Sequence, residues 1–159
     1  SNLLYYVEPF IYILEFIKRY IVEQNYQSLN FRDCDEDNSK AETVSNNLIN
    51  TWKLAKKIVE NNGGKFIPVL QPVVFIGEVK RDHIDLTSDY TLDKNYNAVY
   101  KFLQRKALKN FGNSFFDFSY VLDDEDYYFI DFNHLSPNGN LLIAEQLSKN
   151  LNKLNLFQN

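Results

Sequence analysis

The sequence predicts an α/β fold built on a parallel sheet, and three observations carry that reading. An amphipathic helix opening at Ser39 ends in a glycine turn at Gly63 and Gly64 and runs into the short apolar stretch KFIPVL. The succession then returns, with a helix from Leu92 to near Gly112 followed by SFFDF. Helix, turn and buried strand repeated in this order is the pattern of crossover connections between parallel strands. The third observation is length: 159 residues without a low-complexity tract or an internal sequence repeat are expected to form a single domain over 1–159 with a sizeable core.

Each element has its own signal. From Pro9 to Gln24, Phe10, Leu14, Ile17 and Ile21 recur at helical spacing, and Pro9 suits a first turn, where its missing N–H costs nothing. Tyr12, Phe16 and Tyr20 make the opposite face apolar too, so this helix is expected to pack on more than one side. The run LLYYVEPFIYILEFI is broken by Glu8, Pro9 and Glu15 and falls short of the roughly 20 apolar residues of a membrane span. It has no basic n-region or small-residue cleavage site. We read it as a buried helix and expect no membrane span.

A polar connector over 25–38 carries Asp33, Asp35, Glu36 and Asp37. Their alternation resembles a calcium loop, but Asn38 stands where the turn glycine belongs and Val44 where the bidentate glutamate belongs, so the stretch reads as a solvated acidic loop. Ser39 with Glu42 reads as a capping box. The helix it opens puts Ala41, Val44, Leu48, Trp52, Ala55 and Val59 on one stripe, and Asn62 and Gly63 tolerate the left-handed backbone that ends it. Lys65 to Leu70 is the first strand, with Pro68 favouring an edge or a bulge. Val73 to Thr91 is irregular and is expected to be a lid or a solvated excursion. Leu92, Tyr96, Val99, Leu103 and Ala107 mark the next helix, Ser114 to Phe118 the second strand, and Pro137 to Leu151 the last helix, burying Ile143, Leu147 and Leu151.

Composition narrows the function. A net charge of −4 gives no basic footprint, so no nucleic-acid partner is expected. Cys34, the single cysteine, cannot form an internal disulfide. The two histidines, His83 and His134, lack the spacing of a metal site, so neither a metal nor a cofactor is expected. There is no Met, and Ser1 is therefore expected not to be the translation start.

Reaction chemistry is legible in one place, YYFIDFNHLSPNGNLLIAEQLSKNL. Asp131 lies three residues before His134, at the entrance of a helix signalled by Ser136 and Pro137. A carboxylate that orients an imidazole is half of a hydrolytic triad, and an imidazole with a reference pKa near 6.5 is suited to proton transfer at neutral pH. The plainer alternative is a helix-entry carboxylate beside a surface histidine. Apolar Phe129 and Ile130 ahead of the pair, and Gly139, Leu142, Ala144 and Leu147 after it, favour the catalytic reading.

Asp131, Phe132, Asn133 and His134, followed by Leu135, Ser136, Pro137, Asn138 and Gly139, resemble the last block of the SGNH (GDSL-type) hydrolase and acyltransferase superfamily. That family's final motif is Asp-x-x-His before the C-terminal helix. KFIPVLQP is similar to its penultimate strand, and the resemblance runs over roughly 39–151. It implies that His134 is the general base and that Asp131 fixes its tautomer, with Gln71, Pro72 and Asn133 as substrate-binding residues. For Gln71 the alternative is a simple strand-end residue. It also implies part of a flavodoxin-like three-layer α/β/α sandwich whose N-terminal strands are absent from this chain.

The family's Gly-Asp-Ser nucleophile motif does not occur here, and the first glycine is Gly63. Two parallel strands are too few to stand alone, so the active form is expected to contain a preceding segment or a second chain that completes the sheet. The implied activity is that of a serine esterase or O-acyltransferase acting on a small acyl ester, such as an acetyl ester, or on an acylated carbohydrate, with the serine outside this chain. Two other readings stand beside it: a non-catalytic binding or assembly module of the same fold, and an unrelated α/β domain with a fortuitous Asp-His pair.

Overall fold

The computed structural model describes residues 33–86 and 92–154. The helix expected over Pro9–Gln24, most of the connector before it reaches Asp33, and the end of the irregular segment lie outside the described residues. Within them the architecture is mixed α/β and mostly helical: α1 (Asn38–Asn61), β1 (Val69–Leu70), α2 (Leu92–Phe111), a 3-10 turn (Gly112–Ser114), β2 (Phe116–Asp117) and α3 (Pro137–Lys153). The two strands pair in parallel, with Val69 opposite Phe116 and Leu70 opposite Asp117, and α2 is the crossover between them. Among the described residues, no helix is long and apolar enough to cross a membrane.

The start of α1 differs from the capping box expected at Ser39 and Glu42. Asp37 is the N-cap, its carboxylate accepting from the backbone N–H of Ser39 at 2.8 Å and of Lys40 at 3.3 Å. An aspartate two residues upstream outcompetes a hydroxyl for the same orphan donors, and Ser39 Oγ itself donates to it at 2.7 Å. These bonds hold the Asp37 carboxyl below the usual carboxylate range, the Ser39 hydroxyl bond being the largest cause. Glu42 is left to pair with Lys106 of α2 at 2.6 Å.

The expected stripe of α1 faces inward, with Ala41 fully buried and Trp52 half-buried, but burial is deepest one position further round, at Ser45 and Ile49. These meet the face of α2 that carries Val99, Leu103 and Ala107. Cys34, just ahead of α1, donates its backbone N–H to Asn95 at the start of α2, while Trp52 lies edge-on to Phe111 at its end, ring centres 6.0 Å apart. The helices therefore run side by side in the same direction. Cys34 is buried, and loss of solvent pushes its thiol up, away from the reactive thiolate.

Both strands are shorter than the sequence suggests. Pro68 has no N–H to give, so the ladder opens at its carbonyl, which accepts from Phe116 N at 3.0 Å, and it continues with Phe118 N to Leu70 O at 2.9 Å. The segment after β1 departs from the expected lid or solvated excursion. Val73, Val74, Phe75 and Ile76 are all buried, and Val74 and Phe75 form a core cluster with Leu122, Tyr128 and Phe129. Buried irregular backbone must find partners. The Val74 carbonyl accepts from Arg81 Nη1 at 3.2 Å and that of Phe75 from Asn97 Nδ2 at 3.1 Å.

Helix α3 adds Leu142 and Ile143 to the rim of this cluster. Contrary to expectation, Ile143, Leu147 and Leu151 are only half-buried, and Gly139 is the sole buried residue of that helix.

Candidate active site

Residues 128–136 form a hairpin. Ser136 N donates to the Tyr128 carbonyl at 2.7 Å, Ile130 N to the His134 carbonyl at 2.8 Å, and Phe129 lies opposite Leu135 in an antiparallel bridge. The tip is the turn Asp131–His134, and Asp131 organises it. Its Oδ1 accepts from the backbone N–H of Asn133 at 3.0 Å and of His134 at 2.8 Å, the local bonding that makes aspartate a turn residue. Its Oδ2 meets His134 Nδ1 at 2.7 Å. The Asn133 N–H, then the His134 ring and the His134 N–H, hold the Asp131 carboxyl down at about 2.

A carboxylate at that value only accepts, so the proton of the shared bond sits on Nδ1. In the neutral imidazole Nε2 then carries the lone pair. Among the described residues Nε2 has no hydrogen-bond partner, and the ring is 72% exposed. The arrangement can take a proton at Nε2 while Asp131 holds the ring and stabilises the cation that forms.

The hairpin is held from outside by the buried irregular segment. Val74 N donates to the Phe132 carbonyl at 3.0 Å. His83 reaches the Phe129 carbonyl through Nε2 at 2.8 Å, so that nitrogen carries a proton, and its ring stands edge-on to Tyr127 with centres 4.5 Å apart. Phe132 anchors the turn from within, its ring 6.3 Å from Phe75. On the far side Ser136 caps α3, accepting from Gly139 N at 3.2 Å with Pro137 in the first turn. Gly139 is required by contact: a Cβ there would lie 2.7 Å from the Tyr128 carbonyl oxygen.

The structure brings all five sequence-predicted site residues to one cavity of about 670 Å³, which Asp131, His134, Asn133, Gln71 and Pro72 line together with Val69, Phe118 and Ile143. Gln71 is exposed at the end of β1, and its backbone carbonyl accepts from Tyr100 OH at 3.0 Å. Burial pushes the Tyr100 phenol far up, so that donor stays protonated. Asn133 Oδ1 is buried without a hydrogen-bond partner. A second cavity of about 660 Å³, along α2 near Lys101 and Arg105, is lined by no acid, histidine, serine or cysteine among the described residues.

Among the described residues no serine, threonine or cysteine lines the His134 cavity. The two serines that adjoin lining residues, beside Phe118 and Leu135, are committed elsewhere. Ser136 is the helix cap, and Ser119 is fully buried with its hydroxyl on Asp117 Oδ1 at 2.6 Å. Among the described residues no group of three or more His, Cys, Asp or Glu is placed to hold a metal ion. Sequence reasoning missed the parts that Val74 and His83 play in holding the hairpin, and it named Gly139 without its contact with Tyr128. Gly139 alone carried a signal for its role, a glycine inside the first turn of a helix, where its propensity is poor. No protein-family model, curated protein or solved structure matches the chain.

Proposed function

We propose that this chain carries the base half of an SGNH-type serine esterase or O-acyltransferase, within a flavodoxin-like three-layer sandwich completed by a preceding segment or a second chain. The observation that carries the reading is the 2.7 Å bond from His134 Nδ1 to an Asp131 already fixed by two backbone N–H groups, with Nε2 free of a hydrogen-bond partner among the described residues and both side chains lining one cavity. The placement agrees with where open α/β sheets bind ligands, since Gln71 and Phe118 both lie just past the carboxyl ends of the strands.

In the proposed reaction a serine outside this chain attacks the acyl carbonyl. Its proton passes to His134 Nε2, Asp131 stabilises the imidazolium, and that proton then goes to the departing alcohol. Water, or a sugar hydroxyl in the transferase case, resolves the acyl-enzyme by the reverse sequence. Gln71 and Asn133 stand ready to hydrogen-bond the substrate.

A second reading, a binding or assembly module of the same fold, is favoured by one observation, the lack of a serine, threonine or cysteine around the cavity among the described residues. A fluorophosphonate probe on the native protein separates the two. The enzyme reading expects labelling that His134→Ala abolishes, and absence of labelling in both refutes it.

A further inference from the structure

We propose that the second cavity, along α2, binds a small anion that carries a flat ring: an aryl or heterocyclic phosphate, or an aromatic carboxylate. The proposal stands apart from the ester reading and concerns a different set of residues. Lys101 and Arg105 are exposed one helical turn apart on α2, and both line this cavity of about 660 Å³. Like charges at that spacing repel, and among the described residues no carboxylate lines the cavity to offset them. Neither is in an ion pair among the described residues, whereas Lys106 is paired with Glu42 at 2.6 Å and Arg81 with Asp93 at 3.7 Å. Glu42 also feels the charge of Arg105, but its carboxyl is held down foremost by the Lys106 bond.

Aromatic rings accompany the two cations. The Arg105 guanidinium lies over the Phe102 ring at 5.2 Å, so it is held against a wall of the cavity rather than trailing in water. Tyr120, which follows β2, brings a ring that is 55% exposed to the same cavity. Buried Ile76 and Tyr100, with Ala98, make up the apolar remainder of the lining. The other polar groups are neutral: Asn38 at the start of α1, and Asn97 and Gln104 of α2. Asn97 gives its amide nitrogen to the Phe75 carbonyl and to Asp93, so it has an acceptor left to offer. This lining excludes ligands by kind. A metal ion or an amine would meet two positive charges and no carboxylate. A neutral sugar or an alkyl chain would leave both charges without a counterion, and an inorganic anion would leave Tyr120 uncovered. A ring joined to one anionic group answers both needs.

The test titrates phenyl phosphate, benzoate, inorganic phosphate and benzyl alcohol into the native protein, followed by calorimetry and by the NMR signals of the Ala98 methyl and the Tyr120 ring. Phenyl phosphate or benzoate should bind at least about tenfold more tightly than inorganic phosphate and benzyl alcohol, and should shift both signals; the tighter of the two fixes the anionic group as phosphate or carboxylate. Lys101→Gln and Arg105→Gln should each weaken that ligand at least about fivefold, the scale of one charge-assisted hydrogen bond. Tyr120→Ala should weaken it while leaving inorganic phosphate unchanged. All three side chains are exposed, so the variants should keep the wild-type melting midpoint. Lys109→Gln, exposed at the end of the same helix and outside the cavity, should change nothing. No binding by either ring compound at millimolar concentration overturns the proposal. So does inorganic phosphate or benzyl alcohol matching them, shifts confined to other residues, or Lys109→Gln weakening binding as much as the cavity variants do.

Discussion

Gly139 joins the last helix to the hairpin that carries Asp131 and His134, and Gly139→Ala tests that joint. An added methyl would sit 2.7 Å from the Tyr128 carbonyl oxygen, 3.2 Å from Tyr128 Cβ and 3.3 Å from Leu135 Cβ. Favourable carbon contacts lie at about 3.5–4.0 Å, so all three neighbours are too close. The oxygen cannot simply retreat, because it accepts from Ser136 N at 2.7 Å and that bond closes the hairpin. Overpacking of this kind costs about 1–3 kcal/mol, and a strained backbone bond adds ~1 kcal/mol. Against this, alanine is better than glycine in a helix by ~1 kcal/mol. The net is a loss of about 1–3 kcal/mol, which at roughly 2–4 °C per kcal/mol for a chain of this size lowers the melting midpoint by ~2–12 °C. Calorimetry reads the loss, with Asn138→Ala as control, since that residue is exposed in the same turn and changes propensity alone. The His134 ring signals should shift in Gly139→Ala and stay in place in Asn138→Ala. Because propensity and contact predict opposite signs, a Gly139→Ala protein as stable as the wild type would refute the joint.

Asp131→Asn keeps a carbonyl for the two backbone N–H groups but sets an amide donor against His134 Nδ1. Nitrogen NMR should show the ring proton moving to Nε2, and probe labelling of the native protein should fall by about 10³–10⁴-fold. The depressed Asp131 carboxyl also fixes a pH window. A carboxylate whose folded value lies below the ordinary 3.8 stabilises the folded turn fully above that value and loses the contribution as pH falls through about 2. The His134 N–H should thus keep its hydrogen-bonded shift at pH 4 and lose it near pH 2; loss already at pH 4 contradicts the bonding described. At the start of α1, Asp37→Ala should lower the melting midpoint clearly more than Ser39→Ala, and the reverse order would restore Ser39 as the cap.

The candidate site was legible because its chemistry is contiguous. Asp131 and His134 are joined by a turn whose bonds are all local, so spacing alone places them together. The helices were legible for a related reason: the stripes from Ala41 to Val59 and from Leu92 to Ala107 are periodic, and periodicity survives without knowledge of what covers them. The residues that hold the hairpin carry no such mark. His83 is separated by 46 positions from the carbonyl it binds, and an exposed histidine in a polar stretch looks like any other. Val73 to Ile76 is apolar but has Pro72 before it and Gly77 after it, so it reads as a loop. It is core because Arg81 and Asn97 satisfy its carbonyls in place of a ladder. The overestimate of the strands has the same origin. KFIPVL and SFFDF are mostly apolar, but ladder bonds need a neighbour as well as a propensity, and only Pro68 to Leu70 and Phe116 to Phe118 find one.

The two histidines supply a contrast that bears on whether His134 is built for chemistry. His83 ties separate parts of the chain, donating to a carbonyl of the core residue Phe129 and packing on Tyr127, which also receives Lys80 Nζ over its ring at 4.2 Å. His134 uses its ring to bind a side chain of its own turn, three residues away, and that turn is already closed by the backbone bonds to Asp131 Oδ1. The ring contact therefore connects nothing that the backbone has not connected. If folding were its purpose it would be redundant, whereas fixing the tautomer of a ring that lines the cavity requires it. His83→Ala should consequently lower the melting midpoint more than His134→Ala, while in the native protein His134→Ala abolishes probe labelling and His83→Ala only reduces it. A His134→Ala protein that unfolds at the lower temperature would assign the ring to stability and remove the main physical argument for a base at this position.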